Sequence, residues 1–420
     1  MTSQEGPVRS GERIATLDAI RGIALLGIFI MNMPNFNTSQ FARFAGAPLW
    51  PAWWDRAAET VRDVLFSGKF NSMFSMLFAI GFTIQLGRLL EREPQRAVWI
   101  YTRRIIWLLV FGVIHACVFW TGDVLHMYAV LGFLLLVLRK LPDRALIGLV
   151  VACLLYPTAY GIVRMIIATP EDIQRLTELM KSLVAASNSA YGHGTFVQAA
   201  HESTRVMTLL YTYPPLMPIL AAGYVQYLTT LLLGLLLGRH RFFQNAIDHL
   251  PLVRRVQWWA LGVGVGTGIV YGIWEASVKN PLEPTPWRII ASMSYVLCRL
   301  AVMIFYVSLI VRAMHDDRWR RRLEPVTLAG RMPLTNYLMQ TLLGTFMFFG
   351  WGLGFWGQVG PAADLVLAVV MFFAIQVPLS RFWLRNFELG PMEYLWRVLT
   401  YGRPALGSIF PRRPRARANE

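Results

Sequence analysis

The sequence is poor in charged residues and in cysteine. Charged side chains make up 15% of its 420 residues, against roughly 25% in ordinary soluble domains, whereas 55% of the residues are hydrophobic. The three cysteines all lie in apolar segments and have neither metal-ligand spacing nor an even number, which argues against a disulfide framework. This composition indicates a membrane protein and not a soluble domain of similar size.

Long apolar segments recur along the whole chain. A helix needs about 20 apolar residues to cross a hydrocarbon core roughly 30 Å thick. The sequence therefore predicts an all-α, polytopic integral membrane helix bundle of about ten transmembrane helices, with a tight hairpin at 120–122. The predicted spans are 15–33, 66–87, 104–120, 123–138, 145–167, 213–238, 256–276, 289–311, 334–354 and 362–380.

The distribution of positive charge predicts the orientation. Most of the 40 Lys and Arg residues fall in alternate loops and in the tails, including the clusters Arg318–Arg322 and Arg412–Arg417. Loops rich in Lys and Arg stay on the cytoplasmic side, so both termini are predicted to be cytoplasmic. Because this asymmetry accounts for the net charge of +16, membrane lipids and not nucleic acid are the predicted partners.

One sizeable loop divides the chain. We predict N-terminal helices one to five in 1–167, an outer helical loop in 168–212, and helices six to ten with an interfacial helix and a basic tail in 213–420. In the loop, Thr169 is a predicted N-cap, followed by proline and two acidic residues, and the helix is expected to end near Ala186.

Two motifs that suggest ligand binding are incomplete. His201 and Glu202 begin like a zinc-protease motif, but Arg205 stands where the second His is required, so no metal site is predicted. Residues 262–268, GVGVGTG, lie in an apolar span and lack the Lys-Ser/Thr of a phosphate-binding loop. Their small-xxx-small spacing predicts close helix packing.

Five polar residues are predicted to share one depth near the outer ends of the first four spans. A charged group at membrane depth costs roughly 2.5–3.5 kcal/mol on insertion scales, so it usually has a partner and a function. Helix capping, snorkelling or a bond to a neighbouring helix is the alternative for each residue alone. The group is Asn32, Lys69, His115, Asp123 and His126.

This outer group predicts a polar site that faces outward. The short hairpin favours an approach of His115 to Asp123, directly or through one water, with Lys69 and Asn32 lining the same cavity. His115 is expected to act as the general base, oriented by Asp123, because imidazole titrates near neutral pH. Lys69 or Asn32 is expected to stabilise an oxyanion. Whether His126 takes part is left open.

A second group of polar residues is predicted at the inner face. Arginine is the forked donor that suits phosphate, so these residues are candidates to line an inner mouth that binds an anionic ligand. Helix packing and interfacial anchoring are the alternative. The group is Asp18, Arg21, Arg331, Asn336, Gln340, Glu393 and Arg397.

Four stretches resemble the YeiB-like membrane proteins, whose C-terminal half is classed as a domain of unknown function. They are LDAIRGIALLGIFIMN, VFGVIHACVFWTGDVLHMYAVLG, GRMPLTNYLMQT and GPMEYLWR. The first also resembles the opening helix of transmembrane acyltransferases, among them envelope sugar acyltransferases and the lysosomal heparan glucosaminide acetyltransferase. The resemblance rests on Asp18 and Arg21, and Asn32 stands where the envelope enzymes have histidine.

The resemblance implies transfer of an acyl group from cytoplasmic acyl-CoA, as co-substrate, to an envelope glycan or lipid acceptor at a bacterial inner membrane. The loop Pro34–Leu65 contains no histidine. Either His115 or His126 has therefore taken over the base role, or this branch no longer transfers acyl groups. A transporter or flippase of a small or lipidic substrate, and a structural partner in an envelope complex, remain the alternatives.

Overall fold

The chain folds as a bundle of α-helices. A computed structural model of the protein describes residues 14–46, 50–278 and 280–402, and no β-strand occurs in them. The chain ends and the cluster Arg412–Arg417 lie outside the described residues. The helices are α1 (Ala15–Asn37), α2 (Trp53–Val61), α3 (Lys69–Arg92), α4 (Ala97–Ile114), α5 (Leu125–Leu138), α6 (Asp143–Ile167), α7 (Pro170–Ser187), α8 (Phe196–Thr212), α9 (Met217–Arg239), α10 (Leu250–Ser277), α11 (Pro286–Met314), α12 (Asp317–Gly330), α13 (Pro333–Phe348), α14 (Pro361–Met371), α15 (Val377–Asn386) and α16 (Pro391–Tyr401).

Eight helical segments in the described ranges are long and apolar enough to cross a membrane. The shorter helices α5, which is apolar, and α13 occupy the positions of the predicted fourth and ninth spans. Each predicted span therefore coincides with a helix, which confirms the polytopic all-α architecture. The third span begins at Ala97 and not near 104, because Arg103 and Arg104 lower the hydropathy of a segment that is still helical.

The first helix lies at the centre of the bundle. In α1, 72% of the most apolar stretch is buried, whereas the figure is 11% in α6, whose side chains face outward. α1 packs against α3, α12, α13 and α14. One apolar core extends from Leu17 to Val377 and joins helices from both sides of the 168–212 segment.

Glycines bring α12 directly against the inner end of α1. A β-carbon at Gly22 would overlap the carbonyl group of Val326, and one at Gly330 would overlap the carbonyl group of Asp18. Only glycine permits this approach of two backbones. The amphipathic helix α12 is therefore fixed to the helix at the centre of the bundle.

The glycine-rich segment 262–268 is part of α10. Gly264 and Gly268 face side chains of α11, whereas Gly262 and Gly266 have no neighbour within 4 Å among the described residues. The predicted close packing is confirmed for one of the two glycine pairs.

Two amphipathic helices, α7 and α8, form an outer layer over residues 168–212. The Thr169 hydroxyl accepts from the Asp172 amide, and the Asp172 carboxylate accepts from the Thr169 amide, so the predicted helix start is confirmed. The helix ends at Ser187, one residue beyond the prediction. α8 lies on the hairpin between α4 and α5, where the Thr204 hydroxyl donates to the Cys117 carbonyl oxygen at 3.1 Å.

Candidate functional site

One carboxylate binds two imidazoles at the hairpin between α4 and α5. Oδ1 of Asp123 lies 2.8 Å from Nδ1 of His115, and Oδ2 lies 2.7 Å from Nδ1 of His126. All three side chains are buried. The predicted direct contact between His115 and Asp123 is therefore present, and His126 belongs to the same hydrogen-bonded group.

The local sequence places these three residues together. α4 continues through a π-helical turn, His115–Phe119, in which the Trp120 amide donates to the His115 carbonyl oxygen at 3.0 Å. The chain then turns, and Asp123 Oδ2 accepts from the His126 amide at 2.9 Å, which caps the start of α5. Asp123 therefore caps the helix, which was the alternative role predicted for it, and it also binds two histidines.

Helix α13 completes the group with two hydroxyls. The Thr341 Oγ1 atom lies 2.9 Å from Nε2 of His115, and the Tyr337 hydroxyl donates to Asp123 Oδ1 at 3.4 Å. Sequence reasoning missed both residues, because the polar residues of the ninth span were assigned to the inner face. Their spacing of four places them on one helix face, and this spacing is the signal that could have identified them.

The hydrogen-bond directions follow from the chemistry of the groups. An ionised carboxylate only accepts, so Nδ1 of His115 carries a proton and donates it to Asp123. In a neutral imidazole Nε2 is then an acceptor, and the Thr341 hydroxyl donates to it. The order hydroxyl, imidazole, carboxylate is that of a hydroxyl activated by a general base.

The group lies inside the bundle and not at its outer surface. Thr341 is half-way along α13, about 12 Å from its first residue at 1.5 Å per residue. The outer layer covers the hairpin, and between them a cavity of about 10 Å³, lined by Thr121, Ser187 and Tyr191 among others, has room for about one water. The site was predicted to face outward, and this prediction is wrong, because α8 buries the group.

Lys69 and Asn32 do not join Asp123. Nζ of Lys69 donates to the Asp63 carbonyl oxygen at 2.7 Å, and Asn32 is buried on α1 without a hydrogen bond to the Asp123 group among the described residues. A left-handed turn at Gly68 starts α3 and directs Lys69 back toward the preceding turn. The expected shared cavity with His115 is therefore not formed by these side chains.

At the inner end, Asp18 and Arg21 form an ion pair with an N–O distance of 2.6 Å. Asn336 does not meet them, contrary to prediction. It is fully buried, and its Nδ2 donates to the Ala329 carbonyl oxygen at 2.9 Å and to Ser380 Oγ at 3.0 Å. It ties α12, α13 and α15 together, and it borders a cavity between α13 and α15.

Gln340 is likewise committed to helix packing. Its Nε2 donates to the Leu25 carbonyl oxygen and to Gln376 Oε1, both at 3.0 Å. Gln376 in turn donates to the Asn336 carbonyl oxygen at 2.9 Å. These buried amides join α1, α13 and the π-helical turn Phe372–Gln376, so the prediction that Gln340 lines an inner mouth is not supported.

Glu393 caps α13 from the interfacial helix α16. Its carboxylate accepts from the amides of Leu334 and Thr335 at 2.6 and 3.1 Å and from the Thr335 hydroxyl at 2.6 Å. Burial raises the pKa of Glu393, and these hydrogen bonds oppose that shift. Arg331, which follows α12, and Arg397 on α16 are both half-buried.

A cavity of about 250 Å³ opens beside this cap. It lies between α13, α15 and the start of α16, and most of its lining is apolar. Its lining includes Met339, Leu379, Phe382 and Trp383, with the polar edges of Thr335 and Ser380. The inner face therefore offers an apolar groove where sequence reasoning expected an anion site.

Fold and site together define a multi-pass membrane protein with a buried histidine–carboxylate group in its core. The chain belongs to the YeiB-like family: residues 237–403 match the model "Protein of unknown function (DUF418)". It is 31% identical over 404 residues to "Uncharacterized protein YxaH" of Bacillus subtilis, and the match covers 94% of this chain and 96% of that protein. It is 26% identical over 411 residues to "Uncharacterized protein YeiB" of Escherichia coli, covering 93% and 96% respectively.

Proposed function

We propose that this protein is an acyltransferase of the bacterial inner membrane that moves an acyl group from cytoplasmic acyl-CoA to a hydroxyl of an envelope glycan or lipid. The observation that carries the proposal is the buried relay from Thr341 through His115 to Asp123. The bacterial relatives and the positively charged inner loops support the location.

In this mechanism the acceptor hydroxyl takes the position that the Thr341 hydroxyl holds. Nε2 of His115 removes its proton as the oxygen attacks the thioester carbonyl carbon. The carbon–sulfur bond then breaks, and the imidazolium returns the proton to the CoA thiolate. The products are an ester and free CoA. Asp123 keeps the imidazole in the tautomer that this step needs and stabilises the imidazolium.

The low-dielectric surroundings strengthen this arrangement. The outer layer and the aromatic rings near the hairpin, such as Phe119 against Phe196, separate the group from bulk water. Interactions between charges are stronger in such an environment than in water. The apolar cavity beside Thr335 is a place where an acyl chain or pantetheine arm of matching polarity fits on the cytoplasmic side.

The experiment uses purified protein in proteoliposomes made from total bacterial lipid, with radiolabelled acetyl-CoA or octanoyl-CoA. Label in lipid or glycan extracts and free CoA thiol are measured together. His115→Asn should lower the transfer rate about 10²-fold or more, the range expected for a general base. His201→Asn, an exposed histidine of the outer layer, is the matched control. Equal turnover by wild type and folded His115→Asn would refute the proposal.

Transport without chemistry is the second candidate. The observation that favours it is the set of buried titratable groups inside the bundle, which in membrane proteins also mark substrate or proton pathways. The same proteoliposomes distinguish the two: a transporter moves its substrate unchanged and releases no CoA.

A further inference from the structure

Two cations lie buried in the bundle away from the Asp123 group. Arg299 on α11 is 1% exposed and Lys69 at the start of α3 is fully buried. Arg299 packs against the residue before Lys69, because a β-carbon on Gly68 would come within 2.8 Å of Cδ of Arg299. No carboxylate forms an ion pair with either cation within the described ranges, since Asp63 pairs with Arg62 and Arg43.

The hydrogen-bonding capacity of Arg299 is only partly used. Nη1 donates to Ser72 Oγ and to the Gln226 carbonyl oxygen, but the buried Nε has no partner. Lys69 has three donors and makes one hydrogen bond, to the Asp63 carbonyl oxygen, and its Nζ lies 5.6 Å from the centre of the Tyr295 ring. Leaving charged donors buried and unpaired is costly, which indicates that an anion completes this site.

The start of α3 adds a third positive feature. Lys69 is its first residue and Gly68 its N-cap, so the helix begins at the residue that packs against Arg299. A helix N-terminus contributes about half a positive charge, and the two side chains contribute one each. The sum, about 2.5 charges, suits a phosphate monoester, which carries about −1.5 to −2 at pH 7, better than a singly charged carboxylate.

We propose that Lys69, Arg299 and the N-terminus of α3 bind a phosphate group with the charge of a monoester. Nε and an Nη of Arg299 supply a forked pair of donors to two phosphate oxygens, which is the geometry that arginine offers phosphate. The Lys69 ammonium group gives up its bond to the Asp63 carbonyl oxygen and donates to a third phosphate oxygen. This site is separate from the acyl-transfer proposal, because neither cation contacts the Asp123 group.

The test measures saturable binding of [³³P]phosphate to the purified full chain in phosphate-free buffer, with chloride and sulfate as competing salts. Wild type and Lys181→Gln should bind one phosphate per chain, since Lys181 is an exposed cation paired with Glu178. Arg299→Gln and Lys69→Met should each weaken binding at least tenfold. Arg299→Lys, which keeps a charge but loses the fork, serves if Arg299→Gln fails to fold, and it should weaken binding as well.

The source of the phosphate is tested in nanodiscs. Competition by phosphatidic acid, a monoester, assigns the site to a lipid headgroup, and binding of inorganic phosphate without such competition assigns it to a soluble phosphate. Displacement by phosphatidylglycerol alone, a diester, would contradict the monoester assignment. Equal displacement by chloride, unchanged binding in a folded Arg299 variant, or no saturable binding in any arm would overturn the proposal.

Discussion

The hydroxyl oxygen of Thr341 lies 2.9 Å from Nε2 of His115, although 226 residues separate the two in the chain. If this hydroxyl marks the position of an acceptor, Thr341→Val removes a hydrogen bond without removing the base. We expect roughly 1–3 kcal/mol lower stability from the unpaired imidazole nitrogen, with acyl transfer retained. Thermal unfolding and label transfer measure the two effects.

Thr341→Ser should behave as wild type in both assays, and Thr267→Val is the control, since Thr267 bonds only within its own exposed helix face. Complete loss of transfer in a folded Thr341→Val variant would mean that Thr341 itself carries the acyl group, and the mechanism would need a second step.

The shared carboxylate predicts energetic coupling between the two histidines. Asp123→Asn removes the charged partner of both imidazoles and leaves an acceptor oxygen for only one of them, and we expect roughly 3–5 kcal/mol of destabilisation. In a double-mutant cycle, His115→Asn and His126→Asn should be non-additive by about 0.5–3 kcal/mol because both bind Asp123. Additive losses would show that the two contacts are energetically independent.

The contact between α12 and α1 predicts a strong effect of a single methyl group. Gly330→Ala forces a β-carbon into the Asp18 carbonyl group, and overpacking of this kind costs roughly 1–3 kcal/mol or more. Gly262→Ala is the matched control, since that site is open. A lower unfolding temperature is expected for Gly330→Ala alone, and equal temperatures for both variants would contradict the described packing.

The raised pKa of Glu393 gives stability a pH dependence. Burial disfavours the ionised form in the folded state, so the folded protein holds this proton more tightly than the unfolded chain. Stability should therefore fall as pH rises from about 4.5 to the raised pKa. Glu393→Gln should flatten that part of the curve measured by thermal unfolding, and Thr335 should keep its bond to the amide oxygen.

Orientation is tested by cysteine labelling in a variant whose three native cysteines are serine. Gln174→Cys, exposed on the outer layer, should react with a membrane-impermeant maleimide in intact cells, and Arg318→Cys on α12 only after permeabilisation. Ser187 is unsuitable because it is buried. The reverse pattern would invert the predicted topology.

Hydropathy identified the spans because each apolar run must be about as long as the bilayer is thick, a property read from one segment at a time. The contact of His115 with Asp123 could also be predicted from the sequence, since eight residues and one tight turn join them. The contact with Thr341 could not be predicted, because hydropathy gives the depth of a residue but not the direction in which it faces around the bundle. The same limitation grouped Lys69 with His115 on depth alone.

Asp123 also ties the charge of each histidine to that of the other. One carboxylate compensates the charge of one imidazolium, and a second protonated ring would stand uncompensated in a medium where that is costly. The two histidines therefore share one compensating charge, and a change at one side of Asp123 acts on the other side.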